Sequence, residues 1–272
     1  MTLTRVTFLN GGYCGQLGYF AGRAKPGPTR FDDVFLLLEH PQHGLHLIDT
    51  GYSPHFFDAT QHFPGRFYRW TTPVHLDAHR DPASILRTHG IDAHDIRAIF
   101  ISHFHGDHIA GLRDFPNARF VYRREAHERL MRQSALKQVK HGFLAHLLPD
   151  DFVARGIALE ERAFDRTFDA FRAHDYFGDG GLLLVDLPGH SPGHLGFAMR
   201  TTDASIFYIA DATWDMDALL RGRTLPAPSR WLQHDAATYA DTQEKLRRFA
   251  ATHPDWQMLA CHCPRTQSHV DC

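Results

Sequence analysis

The chain has 272 residues, of which 43% are hydrophobic, enough for one sizeable buried core, and we expect a single domain over residues 1–272. A formal net charge of −2 with dispersed lysines and arginines argues against a nucleic-acid partner, and the lack of any run of about 18 apolar residues argues against a membrane span. The amino terminus lacks the pattern of a secretory signal, and the four cysteines have no disulfide-type spacing, so we expect a cytoplasmic protein.

Short runs of apolar and β-branched residues recur along the chain and predict β-strands. Helical segments lie between these runs, so the predicted class is mixed α/β. The predicted strands are RVTFL at 5–9, VFLLLE at 34–39, LHLI at 45–48, IRAIFI at 96–101, RFVY at 119–122, LLLVDL at 182–187, LGFAM at 195–199, SIFYIA at 205–210 and QMLA at 257–260.

Three helices are predicted from capping signals and periodicity. In DPASILRTHG, Asp81 is the expected N-cap, Pro82 the first helical residue and Gly90 the stop. Two longer helices are predicted, from about residue 124 to 148 and from about 235 to 252, the second closed by Pro254.

Polar residues of metal-ligand type follow five of the predicted strands. Asp49, His103, His190, Asp211 and His262 each stand at or shortly after a strand end. If these strand ends share an edge, their loops converge on one place, where a rigid scaffold can hold a polar site.

The segment SHFHGDHIAG carries the strongest chemical signal in the chain. His103, His105, Asp107 and His108 fall within six residues, directly after a buried strand. Imidazole nitrogens and carboxylate oxygens are ligands that zinc accepts, and alternation in an extended turn sends neighbouring pairs to different sides. With His190, Asp211 and His262, the set offers seven ligands. We therefore predict two adjacent divalent ions, with zinc as the expected metal.

At this point the sequence resembles the metallo-β-lactamase superfamily. Its HxHxDH signature is matched by residues 103–108, and the resemblance extends to DTG at 49–51, PGHSPGH at 188–194, AD at 210–211 and the late His262, in the family's order. The resemblance implies a four-layer αβ/βα sandwich with halves of approximately 1–150 and 151–272. It also implies a ligand set in which one ion is held by His103, His105 and His190, the other by Asp107, His108 and His262, with Asp211 between them.

Four residues near this set have other expected roles. The resemblance implies that Asp49 orients a ligand without binding metal itself. His194 is expected to be structural. Cys261 and Cys263 flank His262, and since neighbours in an extended segment point away from it, we expect both thiols to pack in the interior.

The expected reaction is hydrolysis of a small-molecule substrate with an ester-type carbonyl. Two divalent ions lower the pKa of a shared water, and the carboxylate of Asp107 is placed to move a proton to the leaving oxygen. FLNGGYC, LIDTGYS and PGHSPGH look most like the lactonase branch, which includes the N-acyl homoserine lactonases of quorum quenching. The resemblance therefore implies opening of a lactone ring.

One position departs from that branch. Its tyrosine three residues after the bridging aspartate is replaced by Trp214, which we expect to contact the substrate; its indole can donate a hydrogen bond to a carbonyl oxygen but transfers no proton near neutral pH. Tyr13, Tyr52 and Tyr208 are the open alternatives for a phenol.

Aromatic residues between 55 and 70, including Phe67 and Tyr68, predict one wall of an apolar substrate pocket, and residues 142–157 the opposite wall. Packing of these aromatics onto the body of the protein is the alternative. The sequence leaves a homodimer open.

Other functions remain in competition. A thioesterase of the glyoxalase II type would use the same metal pair, and only Arg265 supports a carboxylate-binding patch. A phosphodiesterase or nuclease would need a basic groove that the composition does not indicate. A non-hydrolytic metal-binding or redox protein is the alternative from another class.

Overall fold

The computed structural model describes residues 2–77 and 81–271. All nine predicted strand segments fall on strands, and the structure adds four short ones, β4, β7, β8 and β9. The strands are β1 (Arg5–Leu17), β2 (Pro28–His40), β3 (Gly44–Ile48), β4 (Val74–His75), β5 (Ile96–Phe100), β6 (Arg119–Arg123), β7 (Gly156–Leu159), β8 (Arg166–Phe168), β9 (Phe171–Asp175), β10 (Leu182–Asp186), β11 (Leu195–Arg200), β12 (Ser205–Tyr208) and β13 (Trp256–Leu259).

The helices are mostly short and lie between the strands. They are α1 (Pro54–Ala59), α2 (Gly65–Thr71), α3 (Pro82–Thr88), α4 (Gly106–Ile109), α5 (Arg124–Met131), α6 (Ala135–Lys140), α7 (Phe152–Arg155), α8 (Met216–Leu220), α9 (Ala227–Leu232), α10 (Ala236–Thr252) and α11 (Pro264–Gln267). In the described ranges, no helix is long and apolar enough to cross a membrane.

The strands form two mixed sheets. The first has the order β4-β1-β2-β3-β5-β6-β7, and the second has the order β13-β12-β11-β10-β9-β8. Strands β3, β5, β6 and β7 pair in parallel, as do β12 and β13, whereas the other pairs are antiparallel.

Three apolar clusters stack through the molecule. The middle cluster lies between the sheets, where Leu36 and Phe100 of the first sheet share a core with Phe197 and Tyr208 of the second. The outer face of the first sheet packs against helices through residues such as Leu37, and the outer face of the second packs against α8 and α10. Helix, sheet, sheet and helix give the four layers, which confirms the predicted αβ/βα sandwich.

Two of the three predicted helices are confirmed. Helix α3 begins at Pro82, with the carboxylate of Asp81 accepting from the Ser84 amide at 2.9 Å, and Gly90 beyond its end has φ of 74°. Helix α10 ends at Thr252, next to His253 and Pro254.

The prediction of one helix from about 124 to 148 is wrong. The segment is divided into α5, α6 and a 3₁₀ turn at Ala145–Leu147, with Gly142 between them at φ of 65°. The Gly142 carbonyl accepts a hydrogen bond from the amide of Gly106 at 2.9 Å, so the break brings this backbone onto the loop that follows β5. Periodicity within the segment carries no information about that contact.

The strand ends meet at one side of the sandwich. Strands β3 and β5 run in the same direction in the first sheet, and β10, β12 and β13 do so in the second. A hydrogen bond of 2.9 Å from the Leu195 amide to the Ser102 carbonyl joins the two edges. The loops that carry the candidate ligands therefore converge between the sheets.

Candidate metal centre

The loop after β5 supplies four of the seven candidate ligands. His103 and His105 lie in the extended segment, and His105 is the residue before α4. Asp107 and His108 lie in the single turn of α4, where they are buried. The turn from extended to helical backbone places the two pairs in different directions.

The first group of donor atoms surrounds the end of the His190 side chain. Atoms of His103, His105, His190 and Asp211 lie within 4.8 Å of one another. His190 Nε2 is 3.2 Å from His105 Nδ1 and 3.5 Å from Asp211 Oδ2.

The second group shares Asp211 with the first. His262 Nε2 lies 3.4 Å from Asp107 Oδ2 and 3.3 Å from Asp211 Oδ2, and His108 Nε2 lies 3.4 Å from Asp211 Oδ1. The carboxylate of Asp211 therefore faces both groups. The structure brings all seven predicted residues together.

Hydrogen bonds on the far side of three imidazoles determine which nitrogen is free. Nδ1 of His108 donates to Asp49 Oδ2 at 2.8 Å, Nδ1 of His190 to Gln233 Oε1 at 2.9 Å, and Nδ1 of His262 to the Asp32 carbonyl at 2.8 Å. Each acceptor takes the Nδ1 proton, so Nε2 is the ring atom that faces the carboxylates.

These residues fit a pair of divalent cations. The contacts between their donor atoms measure 3.2–3.7 Å. Around a tetrahedral zinc ion with bonds of about 2.0–2.2 Å, neighbouring ligand atoms lie roughly 3.3–3.6 Å apart. His103 Nε2, Asp107 Oδ1, His108 Nε2 and Asp211 Oδ1 are buried without a hydrogen-bond partner among the described residues.

The charges of the site lead to the same conclusion. In the described part of the chain, Asp107 and Asp211 make ion-pair contacts with histidines and with no lysine or arginine. Burying carboxylates costs several kcal/mol each unless cations or hydrogen bonds compensate. Divalent ions would provide that compensation.

The two groups differ in their electrostatics. Burial lowers the pKa of His105 to about 3 and that of His103 well below its usual range, so the first group presents neutral imidazoles. Burial also disfavours a charge on His108, but Asp107, Asp49 and Asp211 outweigh it and raise its pKa well above its usual range. Burial works against ionised Asp107 too, yet His108 and His262 hold its pKa at about 2.

A family model described as the metallo-beta-lactamase superfamily matches residues 34–262, which include all seven candidate ligands. The chain belongs to this superfamily. It is 26% identical over 239 residues to "N-acyl homoserine lactonase AttM" of Agrobacterium fabrum, covering 85% of this chain and 81% of that protein. It is 30% identical over 141 residues to "Gamma-lactamase FDB1" of Fusarium pseudograminearum, but it spans only 30% of that relative's length and the match covers 47% of this chain.

The fold of this superfamily member is similar to solved lactonase structures. One is an N-acyl homoserine lactone hydrolase with the product N-hexanoyl-L-homoserine bound at its catalytic metal centre. The TM-score is 0.75 at 19% identity, covering 100% of this chain and 98% of that one. At this identity the comparison establishes the shared fold.

Asp49 lies behind the ligands. It has φ of 58°, and its carboxylate accepts from the Ser102 amide at 2.8 Å, from the Ser102 hydroxyl at 2.7 Å and from His108 at 2.8 Å. Ser102 Oγ is also 2.9 Å from His103 Nδ1. Asp49 thus orients one candidate ligand directly and reaches a second through Ser102.

His194 and the two cysteines are buried beside the site. His194 Nδ1 contacts the Leu187 carbonyl at 3.1 Å, and its Nε2 accepts from the Asp211 amide at 3.2 Å, so its ring braces the backbone that carries Asp211. Cys261 and Cys263 are buried, and burial raises the pKa of Cys261 to about 11, which keeps it a thiol.

Trp214 faces the candidate centre. Its indole Nε1–H donates to Asp211 Oδ2 at 2.8 Å, and its ring lies edge-on to His190 with centroids 5.7 Å apart. Of the three alternative tyrosines, Tyr208 is committed to the Val34 carbonyl at 2.7 Å in the core between the sheets, and Tyr13 stacks on His75. Tyr52 is buried against Phe56.

The aromatic segment 55–70 is divided between core and surface. Phe56 is buried, and the half-buried Tyr68 packs against it with ring centroids 5.5 Å apart. A Cβ on Gly106, in the loop of candidate ligands, would lie 3.3 Å from the Tyr68 ring, so Tyr68 borders the centre. Phe67 is 54% exposed. In segment 142–157, the predicted opposite wall, Phe143, Leu144 and Leu147 are buried in the core.

The sequence reasoning missed three residues of the site. Gln233 holds His190, although nothing in its local sequence indicates a role. A Cβ on Gly142 would lie 2.7 Å from His105 Cδ2, so only glycine allows this approach. Asp33 is buried next to Asp107. A carboxylate inside the apolar strand β2 was the sequence feature that could have indicated it. Burial, and then the Asp107 carboxylate, raise the pKa of Asp33 well above its usual range.

Proposed function

We propose that this protein is a dinuclear metal-dependent hydrolase. His103, His105 and His190 would hold one ion, Asp107, His108 and His262 would hold the other, and Asp211 would contact both. The observation that carries the proposal is the carboxylate of Asp211, whose two oxygens lie 3.3–3.5 Å from imidazole nitrogens of both groups. A bridging carboxylate is typical of sites that hold two ions about 3.5–4 Å apart.

When bound, the two ions would supply a water acidified toward neutral pH and an electrophile for the substrate oxygen. The protein's residues provide the rest. Asp49, Gln233 and the Asp32 carbonyl fix the tautomers of the ligands. The carboxylate of Asp107 lies at the edge of the second group, where it accepts the proton of the attacking water and delivers it to the leaving oxygen.

A small lactone is the proposed substrate class, with N-acyl homoserine lactones as the first to test. The AttM relative supports this class because the match covers most of both chains. The half-buried ring of Tyr68 and the exposed ring of Phe67, both on α2, are the proposed contacts for an apolar acyl chain.

Trp214 does not take the proton-transfer role that a tyrosine phenol could have at this position. Its N–H is committed to Asp211, so it positions that carboxylate and offers no titratable proton. The proton for the leaving oxygen therefore comes from Asp107, and Trp214 is a positioning residue.

Metal analysis and a substrate panel test the proposal together. We expect about two zinc ions per chain and hydrolysis of a homoserine lactone or γ-lactone that is lost on chelation and restored by zinc or cobalt. His190→Gln should lose metal and turnover. His94→Gln is the matched control, since His94 is exposed and pairs with Asp92 away from the site.

The panel also includes a thioester and a phosphodiester. Hydrolysis of the thioester alone would replace the lactonase assignment by the thioesterase and leave the centre in place. Failure of the zinc-loaded protein to bind more than one ion, or hydrolysis that survives complete chelation, would contradict the dinuclear hydrolase itself. The expected cytoplasmic location, the single domain and a homodimer stay predictions.

A further inference from the structure

Asp33 is a buried carboxylate outside the seven candidate ligands. It lies on β2 inside the apolar run FDDVFLLLE and is 1% exposed. Its Oδ1 accepts only a weak hydrogen bond, from Cys261 Sγ at 3.3 Å, and its Oδ2 has no partner among the described residues. An isolated buried carboxyl group is costly, so its presence here calls for a reason.

The surroundings of Asp33 point to a cation. Donor atoms of Asp33, Asp107 and His108 lie within 4.8 Å of one another. In the described ranges, no lysine or arginine forms an ion pair with Asp33, so two buried carboxyl groups share their surroundings with one imidazole. A divalent ion between these groups would compensate both carboxylates.

The neighbouring residue shows that this arrangement is specific to one side of β2. The Asp32 carboxylate points to the other face, where it accepts from Arg30 at 3.0 Å and from Asn10 at 3.1 Å. Successive side chains of a strand alternate between faces, so two adjacent aspartates of equal chemistry lie in different environments. Asp32 is satisfied by ordinary partners, whereas Asp33 is not.

We propose that Asp33 is a further carboxylate ligand for the ion beside His108. This rests on the proposed dinuclear centre and extends it. The two metal positions would then differ in their ligands. The position at His103 would have three imidazoles and one carboxylate. The position at His108 would have two imidazoles and three carboxylates, those of Asp33, Asp107 and Asp211. Carboxylate-rich sites suit harder ions, so the His108 position should accept Mn²⁺ more readily than the His103 position does.

Asp33→Asn tests the proposal, with Glu39→Gln as the matched control, since Glu39 lies on the same strand and its carboxylate pairs with Arg5 away from the candidate ligands. Asparagine keeps the volume of the side chain and removes the charge. Stepwise Zn²⁺ binding is measured against a competing chelator, with metal per chain determined by elemental analysis. We expect the wild type and Glu39→Gln to bind two ions alike, and Asp33→Asn to bind the second ion roughly tenfold or more weakly. The absorption spectrum of Co²⁺-loaded protein should also change in Asp33→Asn alone.

A second variant distinguishes the loss of the carboxylate charge from a change in packing as the cause of weaker metal binding. Asp33→Ser removes the same charge with a smaller side chain, so a loss of the second ion in both variants reports the carboxylate. Mn²⁺ bound to the wild type beside one equivalent of Zn²⁺ should be lost in both. Unchanged affinity for two ions in Asp33→Asn would overturn this proposal and leave the dinuclear centre standing. A wild type that binds no ion would instead contradict the proposed function.

Discussion

Trp214 offers a direct test of how the candidate centre is held. In Trp214→Phe the ring that lies against His190 is kept, but the indole N–H that donates to Asp211 at 2.8 Å is lost. A hydrogen bond to a charged group contributes about 1.5–3 kcal/mol, and because Trp214 is only half-buried the lower end applies. For a chain of this size, about 1.5 kcal/mol corresponds to a fall in Tm of roughly 3–6 °C.

The assay is thermal unfolding of metal-free protein, followed by zinc titration against a chelator. The control is Trp231→Phe, since Trp231 is 70% exposed and should change stability by no more than about 0.5 kcal/mol. Metal affinity should also fall in Trp214→Phe, by roughly tenfold, because Asp211 loses a group that orients it. Trp214→Tyr should keep or raise lactone turnover, since a phenol beside the centre can donate to the carbonyl and assist the leaving oxygen.

Equal Tm and equal zinc affinity for Trp214→Phe and Trp231→Phe would refute the argument. Such a result would mean that the indole contact contributes nothing to Asp211. A loss of Tm without any change in zinc affinity would assign Trp214 to packing alone.

Three further predictions concern other parts of the structure. Asp107→Ala should lose turnover by far more than it loses stability, because the proposed work of its carboxylate is to hold an ion and move a proton and not to pack in the core. Activity and Tm measured on the same sample decide this. Near wild-type turnover with two bound ions would remove Asp107 from the mechanism. Asp49→Asn should keep the backbone conformation, since asparagine tolerates positive φ. It should weaken zinc binding by about 10–100-fold, because His108 loses the carboxylate that orients it. Competition with a chelator measures this zinc affinity. His46→Leu should flatten the acid sensitivity of stability. Burial, then His40 and His43, lower the pKa of His46 from 6.5 to about 4, so the unfolded chain takes up the proton first as pH falls. The wild type should then lose about 2 kcal/mol more than the variant between about pH 7.5 and 5 in denaturant titrations, and parallel curves would contradict the assignment.

Those parts of the protein that depend on local chemistry are predictable from its amino-acid sequence. Strand segments were readable because alternation and β-branched runs are properties of neighbouring residues. The ends of α3 and α10 were readable because caps and proline stops act within a few residues. The ligand types were readable because they follow the strands one after another in the chain.

Which distant groups meet depends on the packing of the whole fold. Gly142 breaks a helical pattern because its backbone contacts Gly106, and Gln233 holds His190 across 43 residues of chain. Likewise, the direction of the Trp214 indole and the isolation of Asp33 depend on how loops of two sheets approach each other. Such contacts follow from the packing of the sandwich, since sheet pairing brings together residues whose local sequences carry no information about one another.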